Sequence, residues 1–131
     1  MTGSGEGELH VLLAEDIPLY LARIIGLFTH ERLRFVGAAD GQEAIEYIED
    51  VSRPLDLLIT DLDMPRRSGW HVIEALRNHR GPQVPVIMQT GEAAYPWVKK
   101  QAGDLGIVLI DKIHVDLALV PAVEQALGLS P

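Results

Sequence analysis

Four largely apolar stretches, residues 9–14, 55–60, 86–89 and 107–111, are each closed by polar side chains: Glu15 and Asp16, Asp61, Thr90, and Lys112. A strand reads as an unbroken apolar run when both faces of its sheet are covered, which is the condition of a parallel sheet between two layers of helices. The segments between the runs carry helical periodicity, so strand and helix alternate along the chain. In an open parallel sheet the functional edge lies just beyond the carboxyl ends of the strands. The pattern therefore brings three acids, one hydroxyl and one lysine to a single edge, a set suited to small cations and phosphate.

Local signals place the remaining elements. Pro18 fits the first turn of a helix running to about residue 29. Residues 35–39 form a short second strand, and Asp40-Gly41 caps a helix over 42–50. The run at 55–60 is the third strand, Ser68-Gly69 opens a helix to about residue 78, and Pro82 and Pro85 bracket the entry to strand four. Pro96 is comfortable only in a first helical turn, so the fourth helix starts late, near Tyr95. The run at 107–110 is the fifth strand. Pro121 means that the last helix is either kinked or begins near Val120, and Gly128 ends it. Five strand–helix units with right-handed crossovers give a doubly wound α/β/α three-layer sandwich on a five-stranded parallel sheet.

Composition narrows the function. A length of 131 residues suits one domain, and 47% hydrophobic with 23% charged residues suits a globular one. A net charge of −8 argues against a nucleic-acid surface. The chain has no cysteine, which removes disulfides and thiolate metal sites. No apolar stretch is long enough to span a membrane and the N-terminus lacks a signal-peptide pattern, so a cytoplasmic protein is expected. Residues 1–8, rich in Gly and Glu, read as a flexible leader before a domain over 9–128. The five histidines are scattered without ligand spacing, and neither G-x-G-x-x-G nor a phosphate loop is present.

Carboxylates crowded at one strand edge repel one another, and a hard divalent cation such as Mg²⁺ relieves the repulsion. Taken alone, Glu15-Asp16 reads equally well as a helix N-cap. Thr90 and Lys112 at the next two strand ends add a hydroxyl and an ammonium able to bind phosphoryl oxygens.

With these residues in that order, the chain resembles the receiver domain of two-component response regulators over about residues 9–128. The resemblance rests on Glu15-Asp16, on Asp61-Leu-Asp-Met-Pro65 with Gly69 four residues on, on Thr90-Gly91 and on Asp111-Lys112. It implies the flavodoxin-like strand order 2-1-3-4-5 and a signalling module, either standing alone or part of a longer protein. By this resemblance Asp61 is the phosphoacceptor, supplied by a histidine kinase or phosphotransfer protein. Mg²⁺ is held by Asp16, Asp61 and the backbone carbonyl of Asp63, with Glu15 acting through a bound water. Thr90 and Lys112 bind phosphoryl oxygens, and Thr90 moves inward after phosphorylation. Asp63 and Glu92 face the mouth of the site, where they tune the life of the phosphorylated state. The output is a changed contact with an unidentified downstream protein, with no role for nucleic acid or membrane.

The chain departs from the pattern at Ile113, where proline usually follows the lysine, and at Leu109, where an aromatic often switches rotamer. A trans Lys112–Ile113 bond and a signal route through the 91–97 loop are therefore expected. The enzyme alternative is a haloacid-dehalogenase-type phosphatase using Asp61-Leu62-Asp63. Its Asp-x-Asp belongs on the first strand, whereas here it follows the third.

Overall fold

The computed structural model describes residues 7–130. The elements run β1 (Leu9–Ala14), α1 (Pro18–Ile25), β2 (Leu33–Ala38), α2 (Gly41–Glu49), β3 (Leu57–Asp61), α3 (Gly69–Arg80), β4 (Val86–Thr90), α4 (Pro96–Leu105), β5 (Val108–Asp111), a single 3₁₀ turn (Lys112–His114) and α5 (Val115–Leu127). All five strands are parallel in the order β2-β1-β3-β4-β5, as expected. Most of residues 1–8, the expected leader, lie outside the described residues. Of the two that are described, Gly7 accepts a hydrogen bond from Arg32 and Glu8 pairs with Arg34.

Successive strand residues face opposite layers. Leu12, Ala14, Leu58, Val86 and Met88 pack under α2, α3 and α4. Val11, Leu13, Leu57, Ile59, Ile87 and Ile110 pack under α1 and α5. Both faces of β3, β4 and the last four residues of β1 are thereby buried, which is why these strands read as largely apolar runs. The site lies at the carboxyl ends of β1, β3, β4 and β5, at the point where the strand order reverses.

One helix is shorter than expected, and another excludes one of its two expected forms. α1 stops at Ile25, four residues short of residue 29. Gly26 follows, the next turns tighten through Leu27 N–H to Ile24 and Phe28 N–H to Ile25, and Phe28 turns onto the Phe35 ring at 5.1 Å. α5 starts at Val115, not Val120, and runs through Pro121. Val115, Leu119 and Val123 recur every four residues and are fully buried, and that stripe carries the helix past the proline. Pro121 and Leu117, whose carbonyl loses its partner, both lie on the exposed side. α4 does begin at the proline: Tyr95 is its N-cap and Pro96 lies in its first turn.

Candidate functional site

β1 ends at Ala14 in the core, so the chain leaves the sheet at Glu15, whose side chain is fully covered. One Glu15 carboxylate oxygen accepts the N–H of Ile17 at 3.1 Å, and the other accepts from Lys112 Nζ at 3.3 Å. Asp61 is the last residue of β3 and only 5% exposed. Its Oδ1 accepts the N–H of Leu62 at 2.7 Å and its Oδ2 accepts from Lys112 Nζ at 2.6 Å. Carboxylate oxygens of Glu15, Asp16 and Asp61 all fall within 4.8 Å of one another.

Such crowding is visible in protonation. Burial raises Glu15 from its ordinary 4.5 to about 7; the Ile17 N–H opposes the rise, the charge of Asp61 adds to it, and Lys112 opposes it. Burial alone would lower Lys112, but its hydrogen bond to Asp61 and the charges of both acids outweigh burial and raise it. One ammonium among three carboxylates leaves the pocket short of positive charge.

The surroundings hold these groups in place. Gly69 opens α3 so close to β3 that a Cβ on it would lie 2.3 Å from the Asp61 carbonyl, and its N–H donates to Leu62 at 2.8 Å. The intervening loop is pinned by Arg66, which has φ 71° and an ion pair of 3.3 Å to Asp40, the cap of α2. Lys112 sits at the start of the 3₁₀ turn, where Asp111 accepts the N–H of Ile113 at 3.1 Å. The Lys112–Ile113 bond is trans, like every peptide bond among the described residues.

Thr90 ends β4, 2% exposed, with its hydroxyl oxygen accepting the N–H of Glu92 at 3.0 Å. The Asp63 carboxyl close to Glu92, together with burial and the charges of Asp63 and Asp61, raises Glu92. Leu109 packs into the core on the α2–α4 side.

Two neighbours have no signal in the sequence. The Tyr20 ring of α1 lies 4.5 Å from Lys112 Nζ, and Gln89, in register beside Asp61, is wholly buried. Neither contact could be read from spacing, because each crosses between elements far apart in the chain.

The sequence model of the response regulator receiver domain matches residues 11–112. The chain is 31% identical over 119 residues to the transcriptional regulatory protein PdtaR of Mycobacterium tuberculosis, covering 90% of this chain and 56% of that protein. It is 31% identical over 84 residues to response regulator RR06 of Streptococcus pneumoniae, covering 64% of this chain and 38% of that protein. The chain thus spans about half or less of the length of these relatives. Among solved structures, it superposes on a CheY-like response regulator receiver domain protein from Methanospirillum hungatei with a TM-score of 0.81 at 21% identity, over 93% of this chain and 95% of that one.

Proposed function

The chain belongs to the family of response regulator receiver domains, signalling modules whose general function is to accept a phosphoryl group on an aspartate, and we propose that here the acceptor is Asp61. The observation that carries this reading is the convergence on Asp61. It is the one carboxylate that ends the central strand, touches Lys112 Nζ at 2.6 Å, and lies within 4.8 Å of both Glu15 and Asp16.

In the proposed step, Asp61 Oδ attacks phosphorus in line, a new O–P bond forms, and the bond from phosphorus to the donor breaks. The donor is a phosphohistidine on a histidine kinase or phosphotransfer protein. The Leu62 N–H fixes the carboxylate plane. Lys112 shifts a hydrogen bond to a phosphoryl oxygen, and the Thr90 hydroxyl, whose oxygen now accepts from Glu92, donates its proton to another. Phosphoryl transfer asks mainly for this kind of positioning and charge neutralisation.

Three close carboxylates with one ammonium fit a hard divalent cation. Asp16, Asp61 and the Asp63 carbonyl would hold Mg²⁺, with Glu15 acting through a bound water. Bound there, it supplies neutralisation of the carboxylates and of the incoming phosphoryl oxygens. No helix among the described residues is long and apolar enough to cross a membrane, and the reading places the protein in the cytoplasm. The output is an altered contact with a downstream protein.

Incubation with acetyl phosphate and Mg²⁺, followed by intact mass, tests the assignment. One labile phosphoryl group is expected on the wild type and none on Asp61→Asn; an equal yield on that variant refutes it.

A further inference from the structure

Lys112 Nζ has three close neighbours: the carboxylates of Asp61 and Glu15, at 2.6 and 3.3 Å, and the ring of Tyr20, with its centroid at 4.5 Å. The two acids change during the reaction proposed above. Asp61 becomes an acyl phosphate, and Glu15 would serve the bound cation. The ring is the one neighbour that is the same before and after. A lysine carries its charge on a flexible four-carbon stem, so a fixed backbone does not fix its nitrogen. The face of an aromatic ring attracts an ammonium within about 6 Å of its centroid, more strongly where water is excluded. Lys112 is mostly covered.

Tyr20 is itself well held. It lies in the first turn of α1, whose start is tied to Glu15 through the Ile17 N–H. Arg23, three residues on, pairs with Asp116 of α5 and sets its guanidinium 5.9 Å from the same ring. The Tyr20 hydroxyl, by contrast, is buried with no hydrogen-bond partner among the described residues. A buried hydroxyl left unpaired is a liability, so the part of Tyr20 in use is its ring.

We propose that Tyr20 is a positioning residue for phosphoryl transfer, its ring holding the Lys112 ammonium toward Asp61 while the carboxylate partners change. This rests on the roles given above to Asp61 and Lys112. In the test, the full chain is phosphorylated with acetyl phosphate and Mg²⁺: the phosphorus–acetate bond breaks, the Asp61 Oδ–phosphorus bond forms, and acetate leaves.

Initial rates are compared for wild type, Tyr20→Phe, Tyr20→Leu, Lys112→Ala and the Tyr20→Leu/Lys112→Ala pair, with thermal unfolding of each. Tyr20→Phe is expected to stay within about twofold of wild type. Tyr20→Leu is expected to slow the reaction by up to about tenfold, equivalent to ~1.4 kcal/mol, yet to add nothing once Lys112 is alanine. Proton NMR gives an independent readout: the Lys112 ε-methylene is shifted upfield by the ring in wild type and Tyr20→Phe, and returns to an ordinary position in Tyr20→Leu. A Tyr20→Leu rate equal to wild type, or a loss that persists in the Lys112→Ala background, overturns the inference and leaves the site assignment standing. A wild-type rate in Lys112→Ala, with the ring shift intact in the parent, overturns instead the role given to Lys112.

Discussion

Burial and the nearby Asp61 make Glu15 hold its proton up to about pH 7 in the folded chain, against an ordinary 4.5. Between those values the folded state binds more protons than the unfolded one, so stability falls as pH rises; the advantage is full below 4.5 and gone above about 7. The raised Lys112 acts in the alkaline range and leaves this window untouched. Denaturation midpoints without metal should therefore drop across pH 4.5–7, and Glu15→Gln should flatten that slope. Mg²⁺ should bind progressively better over the same interval, because the water through which Glu15 would serve the cation needs that carboxylate ionised. The neighbouring Asp63 raises the Glu92 carboxyl, which suits this pair, under the proposed reading, to modest control of water attack on the acyl phosphate. Asp63→Asn and Glu92→Ala should each change the dephosphorylation rate by about tenfold or less, ~1.4 kcal/mol in barrier. A hundredfold loss, read from decay of the phosphorylated mass, would identify a dedicated base.

Among the elements, the segment from Thr90 to Trp97 is the expected route of the signal. Its first hydrogen bond runs from the Glu92 N–H to the Thr90 hydroxyl oxygen, and Pro96 delays α4. Trp97 then meets Trp70 of α3, ring centroids 6.5 Å apart, while remaining 54% exposed. Drawing the Thr90 hydroxyl toward a phosphoryl oxygen takes the Glu92 N–H partner with it, and the displacement reaches a tryptophan pair whose emission depends on exposure. Beryllofluoride, a phosphoryl mimic, should change tryptophan fluorescence. Thr90→Ala should abolish most of that change, and Trp97→Phe should remove it. A full response in Thr90→Ala would mean that the signal leaves by another element. Leu109, packed without a ring in the β5 position, offers no aromatic rotamer for that purpose.

At the scale of the whole molecule, the pocket is rimmed by apolar side chains that the core does not use. Ile17 and Leu19 follow Asp16 on one side, and Ile113 and Leu117 follow Lys112 on the other, all more than half exposed. The Arg23–Asp116 ion pair ties α1 to α5, so the two sides form one surface. A small donor reaches Asp61 without this surface, whereas the proposed phosphohistidine protein would rest on it. Leu19→Ser with Leu117→Ser should leave acetyl phosphate labelling intact and slow transfer from a phosphohistidine protein by about tenfold or more, the scale expected when central apolar contacts are lost. Equal slowing of both donors would place the damage in the pocket instead.

The sequence by itself determined the layers, the parallel sheet and the five strand-end positions, because strands covered on both faces must be largely apolar and the charged side chains fall where the chain leaves the sheet. It also located α4, since Pro96 tolerates only a first turn. The extent of α1 and α5 was decided elsewhere. Gly26 and the Phe28–Phe35 contact ended one helix early, and burial of Val115, Leu119 and Val123 outweighed Pro121 in the other. Only the tertiary structure set the protonation of Glu15, the grip on Lys112 and the Asp63–Glu92 contact. Each depends on distances between elements remote in the chain, and charge interactions answer to distance and burial, which residue order does not contain.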